Sequence, residues 1–190
     1  MPSFPNLPLR TPRLTLRPLA APDADALFAV FSDPQVMRYW STPPWTTPDQ
    51  AQAFIERDRS GFESGAHLRL GIERTDDGAL LGQCTLFGIQ PASRRAEVGY
   101  SLGRPHWGRG YVNEALRALL GYGFGQLNLN RVEADIDPRN TASEKVLQRL
   151  GFLKEGHLRE RWIVAGEVSD SALYGLLRSA WHEDDARRRD

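Results

Sequence analysis

The 190-residue sequence contains a single cysteine, Cys84, and no excess of either charge. One cysteine excludes an internal disulfide framework and a multi-cysteine metal cluster. Lys plus Arg and Asp plus Glu both number 24, so the chain lacks the one-signed field that holds nucleic acid or an anionic membrane. No apolar run reaches the roughly 18–20 residues of a spanning helix, and residues 1–8 lack the pattern of a signal peptide. These absences predict a metal-free protein that works in the cytoplasm, away from nucleic acid and membranes.

The residues that are present fit one domain. A hydrophobic fraction of 41% over this length is enough for one core. Ten of the thirteen prolines fall in the first fifty residues, which indicates a loop-rich N-terminal third and not a second domain. We predict a flexible N-terminus over residues 1–8, one domain over 9–178 and a charged C-terminal tail over 179–190.

Hydrophobic periodicity alternates between the strand and helix patterns along the chain. The predicted fold is α/β (α+β), with a mixed central sheet of about seven strands and about four helices. The strands are expected near 13–19, 67–74, 79–89, 94–102, 131–137, 152–163 and 169–177, and the helices near 22–32, 47–62, 111–127 and 141–150.

The segment Arg104–Leu116 reads as a glycine loop between a strand and a helix. Gly108 and Gly110 let the backbone turn its N–H groups toward one point at the start of the helix. The helix dipole favours an anion there, and Arg109 adds a positive charge. A phosphate or pyrophosphate is the natural ligand, and a tight structural turn is the alternative. No Lys-Ser/Thr pair follows, and the third glycine of a dinucleotide-binding fingerprint is replaced by Asn113.

A second motif lies thirty residues further on, where Asn140 precedes a helix that is closed by Gly151-Phe152. With both motifs at this spacing, the sequence resembles the GNAT superfamily of N-acetyltransferases. Trp107-Gly-x-Gly-Tyr together with Asn140-x-x-Ser143 is similar to its ribosomal-protein N-acetyltransferase (RimJ/RimL-like) branch. The resemblance covers roughly residues 9–178.

The resemblance implies acetyl transfer from acetyl-CoA to an amine, with CoA as the product. In such folds two parallel strands splay apart, here 94–102 and 131–137, and the cofactor's arm lies in the gap. The glycine loop would hold the pyrophosphate, as ligands of open α/β sheets bind at the carboxyl ends of parallel strands. The cofactor-binding residues implied are Tyr100, Ser101, Leu102, Trp107, Gly108, Arg109, Gly110, Tyr111, Val112, Asn140 and Ser143.

Glu97 is the candidate general base, because an attacking amine must lose a proton and is mostly protonated at neutral pH. Strand alternation places Glu97 on one face with Gly99 and Ser101. Relatives carry a glutamate at this place as a base or substrate anchor. The alternative is an exposed carboxylate that pairs with Arg94 or Arg95.

Ser143 is the candidate proton donor to the departing thiolate. Many relatives use a tyrosine four residues before the Gly-Phe pair, but Leu147 occupies that position here. Ser143 lies one turn earlier on the same helix face, and in the resembling branch a serine at this place acts on the CoA sulfur. The alternative is a first-turn helix-capping role, and Asn140 is an N-cap by position.

The acceptor site is the least determined part of the sequence. The loop between the first two helices carries Arg38, Tyr39, Trp40 and Trp45, which form one groove wall in relatives, and Trp162 is a candidate for the other wall. Aromatic walls suit a peptide terminus or an amphipathic amine. The alternative is a proline-rich loop folded over the core by its tryptophans.

Three functions remain open from the sequence. The first is N-acetylation of a protein N-terminal α-amine, of the ribosomal-protein type, through a ternary complex. The second keeps the chemistry but uses a small amine, an amino acid or an antibiotic. The third is a catalytically silent CoA-binding sensor. A homodimer is expected by analogy.

Overall fold

Apolar residues on alternate positions of the strands build one mixed sheet in the computed structural model, which describes residues 4–181. The strands are β1 (Leu9–Arg10), β2 (Leu14–Arg17), β3 (Leu68–Arg74), β4 (Leu80–Gln90), β5 (Arg95–Leu102), β6 (Arg131–Ile136), β7 (Leu153–Val164) and β8 (Glu167–Leu177). The helices are α1 (Ala24–Phe31), α2 (Pro34–Met37), α3 (Asp49–Ser64), α4 (Tyr111–Gly125) and α5 (Thr141–Arg149). Two 3-10 turns lie at Ala21–Asp23 and Arg104–His106, and residues 178–181 are helical.

The strand order across the sheet is β1-β2-β3-β4-β5-β6-β8-β7. Every neighbouring pair is antiparallel except β5 and β6, which are parallel. The two parallel strands pair at only three positions, from Arg95 with Arg131 to Glu97 with Glu133. Beyond Glu97 they diverge, while β5 stays paired with β4 as far as Leu102. The predicted mixed sheet with a splayed parallel pair is therefore confirmed.

Two clusters of buried apolar residues hold the layers together. The larger cluster joins α4 to one face of the sheet, with Leu70, Leu86 and Leu116 fully buried. The smaller one joins α1, α2 and α3 through Leu27, Phe31 and other buried side chains. Burying each large apolar side chain contributes about 1.5–3 kcal/mol to folding. The smaller cluster, built by α1 to α3, packs against the sheet through Leu80 of β4.

Two short elements raise the element count above the sequence prediction. The two-residue strand β1 pairs with β2, so the sheet has eight strands within residues 4–181. The sequence predicts no helix between the first helix, which ends near residue 32, and the second, but Pro34 begins α2, where the Asp33 carboxylate accepts a hydrogen bond from the Gln35 N–H at 2.8 Å. Proline is well suited to the first helical turn because its missing N–H needs no partner there.

Both ends of the described chain contribute to the core. Phe4 is buried and packs on Phe62, with ring centroids 5.2 Å apart. Trp181 is buried and packs on Phe124 at 5.8 Å. The core therefore reaches past both limits of residues 9–178. Residues 182–190 of the predicted tail, and residues 1–3, lie outside the described part.

Within residues 4–181, none of the helices has the length and apolar composition needed to cross a membrane. In the same part of the chain, no three His, Cys, Asp or Glu side chains gather where they could hold a metal ion.

Candidate active site

Two cavities open on either side of the point where β5 and β6 diverge. The loop cavity, about 460 Å³, is bordered by the end of β5, the glycine loop, the start of α4 and α5. The sheet cavity, about 430 Å³, is bordered by the polar face of β4 and β5, by β6 and by the β7–β8 hairpin. Five residues line both cavities: Tyr39, Trp40, Tyr100, Asn140 and Ser143. The two cavities thus meet at these side chains.

The glycine loop presents backbone to the loop cavity. Gly108 and Gly110 have φ values of 72° and 79°, in the left-handed region that favours glycine. Gly110 is the N-cap of α4 and supplies no side-chain cap, so the first N–H groups of the helix are left for a ligand. A Cβ atom added to Gly108 would meet no atom within 4 Å. The loop therefore keeps open space beside an anion-favouring helix start.

Arg13, at the entrance to β2, fastens this loop. Its guanidinium donates to the Arg109 carbonyl at 3.1 Å and to the Glu114 carboxylate at 2.7 Å. It also lies over the Tyr111 ring, 4.6 Å from the centroid. Trp107 fastens the other end, because its Nε1–H donates to the Leu102 carbonyl at 2.7 Å. The loop conformation is thus held by one distant residue, Arg13, and by the local contact of Trp107 with the end of β5.

The predicted cofactor residues gather at the loop cavity. Ten of the eleven line it: Tyr100, Ser101, Leu102, Trp107, Gly108, Gly110, Tyr111, Val112, Asn140 and Ser143. Arg109 does not line it, and its carbonyl oxygen is engaged by Arg13. Sequence reasoning missed the cations Lys145 and Arg149, which also line this cavity. Their spacing of four residues on α5 was the available signal, since residues four apart share a helix face.

Glu97 lines the sheet cavity and is half-buried. Burial raises the pKa of this carboxyl group above its ordinary value, and the neighbouring charges of Glu133 and Asp135 raise it further. The ion pair left open by the sequence is not what the structure shows: Arg95 pairs with Glu133 at 2.7 Å, and Arg94 donates to the Asn128 carbonyl at 2.8 Å. Glu97 is therefore a carboxylate of raised pKa at a cavity wall.

The sequence leaves helix capping open for both Ser143 and Asn140, beside the proposed contact of each with the cofactor. The Asn140 side chain accepts a hydrogen bond from the Ser143 N–H at 3.1 Å, so Asn140 is the side chain that caps α5. Ser143 lines both cavities. Leu147, which replaces the tyrosine of relatives, is fully buried in the core. Tyr100 lies beside Ser143 at the junction, and burial raises its pKa to about 12, which keeps its hydroxyl protonated.

The predicted acceptor residues are only partly brought together. Tyr39 and Trp40 line both cavities, Arg38 lines the loop cavity, and Trp162 lines the sheet cavity. Trp45 lines neither cavity. It stacks on Phe31 with ring centroids 4.6 Å apart, in the cluster that joins α1 and α3. For Trp45, the structure matches the alternative of a loop folded over the core.

The sheet cavity also has lining residues that sequence reasoning did not name. The polar and charged ones among them include Arg69, Gln83, Thr85, Asp135, Asp137 and Arg161. Gln83 and Thr85 alternate with apolar residues along β4, and this alternation was the signal that a second, polar sheet face faces a cavity.

The chain is similar to known proteins in both sequence and fold. A family model described as the acetyltransferase (GNAT) domain matches residues 13–153, more than half of the chain. The uncharacterized N-acetyltransferase p20 of Bacillus licheniformis is 41% identical, over 90% of this chain and 96% of its own. The crystal structure of a GCN5-related N-acetyltransferase from Brucella melitensis is 25% identical, with a TM-score of 0.82, covering 95% of this chain and 83% of that one.

Two more distant relatives carry names that state an acceptor. The [ribosomal protein uS5]-alanine N-acetyltransferase of Escherichia coli is 26% identical, over 94% of this chain and 95% of its own. The spermidine N(1)-acetyltransferase of Vibrio cholerae is 25% identical, over 89% and 95%. Proteins of similar sequence therefore act on different amines.

Proposed function

The chain belongs to the acetyltransferase (GNAT) family and is an acetyl-CoA-dependent N-acetyltransferase, and from that premise we propose that its acceptor is the N-terminal α-amine of a protein. One observation carries the reaction that this proposal requires, in which donor and acceptor bind side by side: the loop cavity and the sheet cavity meet at five shared residues. A donor in one cavity and an amine in the other would react at the junction. This arrangement supports direct attack within a ternary complex.

The loop cavity suits acetyl-CoA. The uncapped start of α4 and the lining cations Arg38, Lys145 and Arg149 favour its phosphates. The edge of β5 from Tyr100 to Leu102, which has no partner in β6, leaves backbone groups for the cofactor's amides. Acetyl-CoA supplies an activated acetyl thioester, and CoA leaves as the product.

Glu97 is proposed as the general base. Its raised pKa places proton uptake nearer to neutral pH than that of an ordinary glutamate, which is where a base works best. Gly99, on the same strand face, leaves room beside it, since a Cβ added there would first meet Phe87 and Thr85 at 3.4 Å. A proton from the amine would reach Glu97 directly or through water.

Ser143 is proposed to serve the departing sulfur. It lies at the junction of the cavities, and its backbone is held by Asn140 and its neighbours in the first turn of α5. The hydroxyl group has no capping duty, because Asn140 provides the cap. These two observations support a hydrogen bond from its hydroxyl group to a developing thiolate.

The charges of the sheet cavity support a peptide terminus over a polyamine. Asp135 is paired with Arg161 at 3.3 Å and Asp137 with Arg139 at 2.6 Å, so these carboxylates are partly neutralised. Arg69, also at this cavity, is paired with the buried Asp58 at 2.7 Å. A long polycation would meet few free carboxylates there. Trp162, 41% exposed, forms a wall at the solvent side where a longer acceptor could continue.

A panel of acceptors tests the proposal. Acetyl-CoA turnover would be followed by thiol release with peptides bearing a free N-terminus, the same peptides with blocked N-termini, spermidine and small amines. We expect turnover only with free N-termini. Turnover with small amines alone would establish the small-amine alternative. CoA binding without turnover on any acceptor would favour the sensor.

The proposal also includes the cellular location of the protein and its oligomeric state. Cys84 is fully buried and burial raises its pKa to about 12, so it fits a reducing, cytoplasmic environment without a redox role. The edge strand β7 exposes Leu153 and Ile163, 71% and 72% accessible. An exposed apolar edge strand supports a homodimer.

A further inference from the structure

Two polar side chains of β4 are buried without hydrogen-bond partners at the sheet cavity. Gln83 and Thr85 are 1% and 4% exposed, and both line the cavity. Neither Gln83 Oε1 nor Thr85 Oγ1 has a partner among residues 4–181. Buried polar atoms in folded proteins are nearly always paired, so these two call for an explanation.

A third unpartnered atom lies in the same patch. Arg69 on β3 is directly opposite Thr85 in the register of the two strands, and its Nε is also buried without a partner. Since Arg69 and Thr85 are paired and Gln83 is two residues away, all three side chains are on one face of the sheet. We call Arg69, Gln83 and Thr85 the polar row.

One atom of each residue in the polar row lacks a hydrogen-bond partner, but the charge of Arg69 does not lack a counter-ion. Asp58, 4% exposed, accepts from Arg69 Nη1 at 2.7 Å and contacts His67 Nε2 at 2.6 Å. The Arg69 guanidinium also lies over the Phe54 ring, 4.4 Å from the centroid. Because Asp58 already balances the Arg69 charge, an additional counter-ion is not required. The remaining need is for a neutral group that can donate and accept.

We propose that the polar row is a recognition subsite for a neutral hydroxyl or carboxamide group of the acceptor, which is the first side chain if the acceptor is a protein N-terminus. The inference rests on the proposed function, in which the sheet cavity receives the amine. Arg69 Nε–H can donate to such a group, Gln83 Oε1 can accept from it, and Thr85 Oγ1 can do either. A hydrocarbon would leave all three atoms unpaired, and an ammonium group could not accept the hydrogen bond that Arg69 Nε–H offers.

Acceptors of equal shape but different polarity distinguish hydrogen bonding at this subsite from simple filling of its space. Threonine amide and valine amide have the same shape and differ by a hydroxyl for a methyl group, as asparagine amide and leucine amide differ by the carboxamide. A site whose buried polar groups are completed by the substrate rejects the analogue that lacks the partner. We expect kcat/KM to favour each polar member by about tenfold or more.

Two variants of the polar row provide the protein side of the test. Thr85→Val and Gln83→Leu remove the unpartnered oxygens at nearly constant shape, and each should bring the threonine-to-valine ratio toward one. Thr15→Val is the matched control, because Thr15 is a buried threonine of the neighbouring sheet region that lines neither cavity. It should leave the ratio unchanged. The Tm of Thr85→Val should equal or exceed that of the wild type, since an unpaired hydroxyl is replaced by a methyl group.

Binding to the CoA-loaded protein, measured by calorimetry with the same four amides, separates the inference from the proposed function. Preferential binding of the polar amides, lost in Thr85→Val, supports the subsite even if no acetyl transfer occurs, and that result would reject the proposed function alone. Transfer with equal efficiency within each pair overturns the subsite and leaves the function standing. A lower Tm in Thr85→Val would show that its hydroxyl is held by an internal water, which also overturns the inference.

Discussion

The loop cavity and the sheet cavity share five residues but are built differently. The loop cavity depends on backbone: two left-handed glycines, an uncapped helix start and the unpaired edge of β5. The sheet cavity depends on side chains from β3, β4, β5, β6 and the β7–β8 hairpin. Backbone groups suit a ligand that never varies, because they tolerate changes of sequence. Side chains suit a partner that differs between relatives, since each can be exchanged without altering the fold.

The largest effect expected from this difference between the two cavities is at Glu97, the proposed base in the sheet cavity. Glu97→Gln removes the proposed base at nearly constant shape, and kcat/KM should fall by about 10²–10⁴. CoA affinity, measured by calorimetry, should stay within a factor of two or so, because Glu97 does not line the loop cavity. A variant as active as the wild type would remove Glu97 from the mechanism.

The second prediction tests whether backbone carries the loop cavity. Gly108→Ala places a Cβ atom in the open space beside the loop and strains a residue with φ of 72°. We expect CoA to bind about tenfold more weakly or worse, because the added atom occupies space that the ligand would use, whereas the strain lowers Tm.

The matched control is Gly78→Ala in the turn between β3 and β4. Gly78 has φ of 69° and equally open space, but it lines neither cavity. Both variants should lower Tm to a similar degree, whereas only Gly108→Ala should weaken CoA binding. Equal CoA affinity in the two variants would contradict a backbone-built site.

A third prediction separates chemistry from capping at the junction. Ser143→Ala should lower kcat by about tenfold with little change in Tm, because the loss affects only proton donation to the thiolate. Asn140→Ala should lower the free energy of unfolding by about 1 kcal/mol, since it removes the cap of α5. Denaturation and steady-state rates measured on both variants check the division. A drop in stability in Ser143→Ala without loss of kcat would favour the structural role.

The smallest expected effect is a shift of the pH profile. Activity should rise with pH through the raised pKa of Glu97, because the base must be unprotonated. Glu133→Gln removes a nearby negative charge that raises this pKa. The acid limb of kcat/KM should therefore move to lower pH. A limb that stays in place would mean that another group controls the profile.

The parts of the site that are local in sequence could be predicted from it. Gly108 and Gly110 stand two residues apart at the start of a helix, and Asn140 stands next to the helix that it caps. Each signal needs only neighbouring residues and known backbone preferences. The splayed strands were expected through the family resemblance, and their register confirms the expectation.

The remaining features depend on pairing between distant segments. The polar row appears only once β3 and β4 are aligned, because Arg69 and Thr85 are sixteen residues apart. Trp40 and Trp45 lie in the same aromatic loop and both pack on Phe31, yet only Trp40 also lines the cavities. Which tryptophan lines a cavity depends on how α1 and α3 pack. The hydrophobic periodicity of the sequence does not indicate that packing.

The three-position contact between β5 and β6 has a consequence for the stability of different parts of the protein. It forms a narrow seam between a block of four strands, β2 to β5, and a block of three, β6, β8 and β7, and the ladders within each block are longer. Local opening follows the weakest ladder. Amide hydrogen exchange should therefore be faster along the seam than within either block, and a ligand that bridges the cleft should slow it at both edges together.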